Sequence, residues 1–324
     1  MNKKRLSALL FASALALSAC TSETDTTSND SPALDGGDFH ATTSFYPLTF
    51  LVEEIGGDNV TITDLTPPGA DAHGVELSPR EVADLENSDL VVYIERLSPA
   101  VDSAIEASGK DAVNIGQYVN LLPYDELGAD PHAHDDAHDD HDDAHDDHDH
   151  DHGTYDPHFW TDPGRMILAA DQIAAELIEL DPDNEATYTA NLDQVTERLQ
   201  GVVDGYESID TLQCRTDAFL VSHKAFAYMA LEYDLVELGI AGFDPEIEPS
   251  PARVREITEL AIEYDLDSVF ATSDAEMRTA AAIGDEADLE TLVLDPASTQ
   301  RAAELDYVDV MEENLVLLRQ SMGC

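Results

Sequence analysis

Short apolar runs alternate with helix-periodic segments twice along this chain, and few folds accept that order. A run such as Asp89 to Ile94 is too short to be a helix of its own and too apolar for a solvent-facing strand, so it reads as a strand buried on both faces. Strands of that kind, separated by helices, pair in parallel, because a parallel neighbour is reached only through a crossover. In the first half, strands at 41–46, 60–65, 89–94 and 112–115 alternate with helices at 48–55, 79–85 and 99–107, the second of them capped by Ser78-Pro79. In the second half, strands at 218–222, 268–271 and 291–294 alternate with helices at 251–264 and 275–283, and a last helix carries Leu305, Val308, Met311, Leu315 and Leu318. Between the halves lie two helical stretches. One turns Met166, Ile167, Ala170, Ile173, Leu177 and Ile178 inward. The other starts near Asp181-Pro182 and repeats Tyr188, Leu192, Val195, Leu199, Val202 and Tyr206 at helical spacing. The expected fold is therefore α/β, with two lobes, each a mainly parallel sheet with flanking helices, over 39–181 and 208–324, joined by one long helix over 182–207.

The first 38 residues have no part in that core. Lys3, Lys4 and Arg5 precede an apolar run, Leu6 to Leu17, which ends in Leu17-Ser18-Ala19-Cys20. This is the pattern of a signal peptide over 1–19, and it resembles the lipobox of bacterial lipoproteins, with cleavage before Cys20 and lipidation of that cysteine. Thr21 to Gly37 is rich in Thr, Ser, Asp and Gly, and 20–38 reads as a flexible tether. The protein is thus expected outside the cytoplasm, held on the cell membrane by lipid. If Cys20 carries lipid, Cys214 and Cys324 remain in an oxidising compartment; a disulfide between them is the favoured reading and two free thiols the alternative.

The chain has 15 basic and 69 acidic residues, a net charge of −54, which excludes nucleic-acid binding by phosphate neutralisation and suits cations. Most of that charge reads as a solvated surface. One segment does not. His132 to His152 consists of eight His, ten Asp and three Ala, within a loop over 130–153 that has nothing to bury. Neutral imidazoles interleaved with carboxylates are good ligands for zinc and other borderline divalent ions. The run Ala-His-Asp-Asp-His-Asp begins at Ala137 and again at Ala144, so His134, His138, His141, His145 and His148 would share one helix face, with His132, His150 and His152 flanking it. Repulsion between adjacent aspartates opposes that helix. Zinc bridging of histidines four apart is expected to induce it in part.

Eight of the twelve histidines lie in this segment, leaving His40, His73, His158 and His223. His73 sits in the Pro/Gly turn after the second strand, and His158 in the rigid turn Tyr155-Asp156-Pro157-His158-Phe159-Trp160-Thr161-Asp162-Pro163. His223 and Asp295 directly follow strands, where open α/β sheets place ligand-binding residues. Three histidines and one aspartate, two from each half, make a tetrahedral zinc set.

Phe45-Tyr46-Pro47-Leu48, Pro68-Gly69-Ala70-Asp71-Ala72-His73, Ser88-Asp89-Leu90-Val91-Val92, Asp156 to Pro163, Val221-Ser222-His223 and Leu294-Asp295-Pro296 occur in this order. In them the chain resembles the metal-binding lipoproteins of ABC transporters for zinc and manganese, the cluster A-I solute-binding proteins, and most closely their zinc branch. The resemblance runs from about residue 39 to the C-terminus. It implies that His73, His158, His223 and Asp295 hold the metal, that the helix joining the lobes is rigid, and that the lobes close little. A histidine at 223, where manganese members have a carboxylate, points to zinc. Two positions depart from the pattern: Thr272 stands where many relatives have glutamate, with Asp274 and Glu276 nearby, and Ala72 stands where some zinc members have a glutamate that reaches the metal. His40 has no role in the pattern.

The function expected is capture of Zn2+ by a monomer and its delivery to an ABC permease and its ATPase, with no enzymatic activity. A zinc buffer or chaperone without a transporter is the alternative. A zinc hydrolase, with Asp295 as base, lacks a His-Glu-x-x-His pair or any nucleophile motif in this sequence.

Overall fold

The computed structural model describes residues 39–124, 126–127, 155–243, 249–273 and 275–324. The expected signal peptide, the tether with Cys20, and the histidines of the His/Asp loop lie outside the described residues. Two four-stranded sheets carry the fold. β1 (Phe39–Thr43), β2 (Val60–Asp64), β3 (Leu90–Tyr93) and β4 (Val113–Asn114) lie in the order β2-β1-β3-β4. β5 (Ala218–Val221), β6 (Val236–Gly239), β7 (Ser268–Ala271) and β8 (Glu290–Val293) repeat it as β6-β5-β7-β8. Every pairing between these eight strands is parallel. In both sheets the chain leaves the first strand in one direction and returns on its other side, and such a reversal opens a crevice at the carboxyl ends of the strands.

Helix starts are written into the sequence by one device. α2 (Pro79–Leu85), α3 (Pro99–Ser108), α4 (Pro163–Leu180) and α7 (Pro251–Glu263) begin with proline, and the preceding Ser78, Ser98, Asp162 or Ser250 accepts a hydrogen bond from a backbone N–H of the first turn. The side chain satisfies a donor the helix cannot, and proline fixes φ where no N–H is needed. α9 (Tyr307–Ser321) opens instead with a reciprocal Asp306–Asp309 capping box. α1 (Tyr46–Gly56), α5 (Glu185–Glu207) and α8 (Met277–Ala287) complete the longer helices. α5 follows a 3-10 turn at Pro182–Asn184, and its 23 residues span about 35 Å at 1.5 Å per residue.

The sequence did not announce β6 or the helix before it, α6 (Ala227–Glu232). Val236-Glu237-Leu238-Gly239 puts a charge and a glycine into four residues, and six residues are too few to show a helical period.

Strand alternation divides the interior. On β5, Phe219 and Val221 face a central core while Ala218 and Leu220 face a second cluster with Ile257 and Ile283. On β3, Val92 joins the central core and Val91 a third cluster with Leu85 and Val101. The central core is common to both lobes: Phe45 and Leu48 of the first and Phe219, Tyr307 and Met311 of the second belong to it with Tyr188, Val195 and Tyr206 of α5. At the chain end, a Cys214–Cys324 disulfide ties the tail after α9 to the segment before β5. That is the pairing favoured from the sequence.

Candidate metal centre

Two of the histidines are presented by the same local turn. The Asp71 carboxylate accepts from the His73 backbone N–H at 2.9 Å, and the Asp156 carboxylate accepts from that of His158 at 3.0 Å. In each Asp-x-His turn the aspartate bonds the backbone two residues on, which fixes the backbone that carries the imidazole. Asp156 does more: its Oδ1 also lies 2.6 Å from His158 Nδ1, with both side chains almost fully buried. A carboxylate can only accept, so Nδ1 carries the ring proton and the Nε2 lone pair points the other way.

That lone pair meets His73. The two Nε2 atoms are 3.1 Å apart, and His223 completes the group, with the candidate ligand atoms of all three within 4.8 Å of one another. Two nitrogens on one tetrahedral zinc, each about 2.05 Å from it, lie about 3.3 Å apart. The observed spacing fits that edge. His158 and His223 are buried and His73 half-buried. Burial holds the pKa of His223 well below its usual value, and the neighbouring His158 and His73 lower it further, against a hydrogen bond to the Phe243 carbonyl at 2.9 Å. A neutral imidazole is the metal-binding form.

Asp295 follows β8 as expected but is not a member of the three-histidine group. Asn314 of α9 pins its backbone on both sides, accepting from the Asp295 N–H at 3.1 Å and donating to its carbonyl at 2.6 Å. Its carboxylate accepts from the Ala297 N–H at 2.9 Å and pairs with Arg301 at 3.2 Å.

The walls of the crevice are bonded across the lobes. Gly69 N–H donates to Thr299 Oγ1 at 2.6 Å, Trp160 Nε1 to the Pro296 carbonyl at 2.9 Å, and Thr161 Oγ1 to the Ala225 carbonyl at 2.9 Å. Tyr228 donates to the Asp156 carbonyl at 2.6 Å while accepting from the Leu122 N–H at 2.8 Å.

Residues 42–321 match the family model described as the zinc-uptake complex component A, periplasmic. The chain belongs to this family. It is 28% identical over 296 residues to the zinc-binding lipoprotein AdcA of Streptococcus pneumoniae, covering 88% of this chain and 56% of that protein. It is 28% identical over 316 residues to the high-affinity zinc uptake system protein ZnuA of Bacillus subtilis, covering 95% of this chain and 94% of that one. The chain thus spans 56% of the streptococcal relative and nearly all of the bacillar one. Among solved structures it is similar to the Zn(II)-bound ZnuA-like domain of Streptococcus pneumoniae AdcA, with TM-score 0.70, 27% identity, and coverage of 89% of this chain and 100% of that domain. The metal-dependent lipoprotein YcdH of Bacillus subtilis is alike at TM-score 0.69 and 26% identity, covering 88% of this chain and all of the other. Two lobes of parallel sheet with a long connecting helix are the architecture of this family in the present chain too.

The departure at Thr272 now has a local explanation. Glu276, just before α8, reaches back to the Thr272 hydroxyl and accepts from Ser222 Oγ at 2.5 Å, so a carboxylate lies beside the residue preceding His223. His40 lies on β1, 3.0 Å from Thr63 Oγ1, outside the histidine group. Sequence reading assigned no role to Phe243, Arg301 or Asn314. Arg301 and Asn314 lie 6 and 19 residues beyond Asp295, and no motif marks them.

Proposed function

We propose that this protein captures zinc outside the cytoplasm and hands it to the permease of an ABC importer, with His73, His158, His223 and Asp295 as ligands between the lobes. In this reading Cys20 carries a lipid anchor, the protein works as a monomer, and the His/Asp loop from His132 to His152 raises the local zinc concentration. The observation that carries it is the convergence of three imidazoles, one fixed as an Nε2 donor by Asp156 and one kept neutral by burial. Relatives named as zinc uptake and zinc-binding proteins support the choice of ion. No helix among the described residues is long and apolar enough to cross a membrane.

Binding rather than catalysis suits the surroundings. A metal hydrolase needs a base free to move a proton, whereas Asp295, the candidate for that role, accepts from the Ala297 N–H and is paired with Arg301. Because one core and several hydrogen bonds span the lobes, release is by distortion: docking on the permease draws the His223 and Asp295 loops away from His73 and His158. Metal analysis with titration calorimetry on the full chain, on a chain lacking 132–152, and on His158→Ala tests the site. One tight zinc that survives loop deletion and vanishes in His158→Ala is expected; tight binding that disappears with the loop, or persists in His158→Ala, refutes it.

A further inference from the structure

We propose that Arg301 competes with the metal for Asp295 and thereby sets how readily the cleft gives up its zinc. This rests on Asp295 being the fourth ligand. Arg301 is placed to do so by contacts on two sides. Its Nε lies 3.2 Å from Asp295 Oδ2, and its Nη2 donates to the Thr272 carbonyl at 3.3 Å, at the end of β7. Thr272 bonds in turn to Ser222, the neighbour of His223, through its N–H at 3.0 Å. The guanidinium therefore bridges Asp295 to the end of β7, where Thr272 bonds the residue before His223.

Oδ1 accepts from the Ala297 N–H and Asn314 fixes the backbone, while Oδ2 faces Arg301 and is the oxygen for which the guanidinium and a metal would compete. The Asp295 side chain is 15% exposed and that of Arg301 32% exposed. A cavity of about 270 Å³ lined by Asp295, Arg301, Gln300 and Glu313 adjoins the pair, giving the guanidinium room to withdraw without unpacking the core. Zinc on three neutral imidazoles keeps its full double charge, and an arginine beside its only anionic ligand both repels that charge and occupies the donor oxygen. Arg301 exchanges its bond to Oδ2 for solvent when zinc arrives, and recaptures Oδ2 as zinc leaves.

The test measures zinc affinity by chelator competition, and zinc loss to excess chelator by stopped flow, on the full-length wild type, R301Q, R301K, D295N and the R301Q/D295N double variant. R301Q is expected to bind zinc about tenfold tighter and to release it correspondingly more slowly, since outer-shell changes shift metal affinity by about 10 to 100-fold. R301K keeps the charge and stays near the wild type. In the D295N background the R301Q effect falls to within about twofold, the coupling expected of contacting residues. R301M replaces R301Q if the latter does not fold, and the melting temperature reports that. Loss of structure weakens binding, so tightening is not a general consequence of damage. Unchanged or weaker binding in a folded R301Q, or a full gain persisting in R301Q/D295N, overturns the inference. A wild type whose zinc does not depend on His158 shows instead that the cleft reading has failed.

Discussion

Replacing Asp156 tests the centre without touching a proposed ligand. Its carboxylate holds His158 Nδ1 at 2.6 Å and the His158 backbone N–H at 3.0 Å, and it is fully buried. A hydrogen bond to a charged group is worth about 1.5 to 3 kcal/mol, and about 1.4 kcal/mol is a factor of ten in affinity. Losing the ring contact should therefore weaken zinc about 10 to 100-fold, the range found for carboxylates behind zinc-bound histidines. Asn can turn its carbonyl toward Nδ1 and keep the tautomer while losing the charge, so D156N belongs at the lower end. D156A loses the tautomer restraint and the turn as well, and belongs at the upper end. Competition against a chelator of known affinity gives the two constants, and denaturant unfolding of the zinc-free variants separates binding from folding. A D156A variant that folds and binds zinc as tightly as the wild type would refute the argument that Asp156 aims the His158 lone pair.

Glu237 gives a pH signature: burial raises its carboxyl pKa to about 7, against lowering by Lys224 and the Phe226 N–H. A carboxyl whose folded pKa lies above its unfolded value favours folding below the unfolded pKa, and that contribution is lost as pH rises through the folded one. Wild type should therefore lose on the order of 2 kcal/mol more than E237Q between pH 5 and pH 7.5 in zinc-free denaturant titrations, and parallel pH profiles would contradict this. Opening the Cys214–Cys324 disulfide, which closes a separation of 110 residues, should lower stability by about 3 to 4 kcal/mol in unfolding with and without reductant. It should leave the zinc affinity within about twofold, because the bond lies at the tail rather than in the histidine group.

Much of this architecture was legible because burial on both faces leaves a direct trace. Leu90, Val91 and Val92 are apolar in succession since β3 is covered on either side, and the Ser-Pro and Asp-Pro pairs mark helix starts because capping is local chemistry. β6 left no such trace: among the described residues it pairs only with β5, and Glu237 accepts from the Phe226 N–H instead of packing as an apolar residue. The histidines were legible for a different reason. With eight of twelve confined to one segment, each of the remaining four had to be accounted for, and three of them meet.

The sequence alone determined most of the elements, the two lobes and the types of the candidate ligands, since periodicity, capping and metal preference are properties of residues and their near neighbours. Only the tertiary structure decided which atoms face one another. It brought His73 within 3.1 Å of His158 across 85 residues, set Asp156 behind His158, buried His223, and gave Asp295 to Arg301 and Asn314. Those relations depend on how two sheets pack about one shared core, a long-range constraint that no local pattern records.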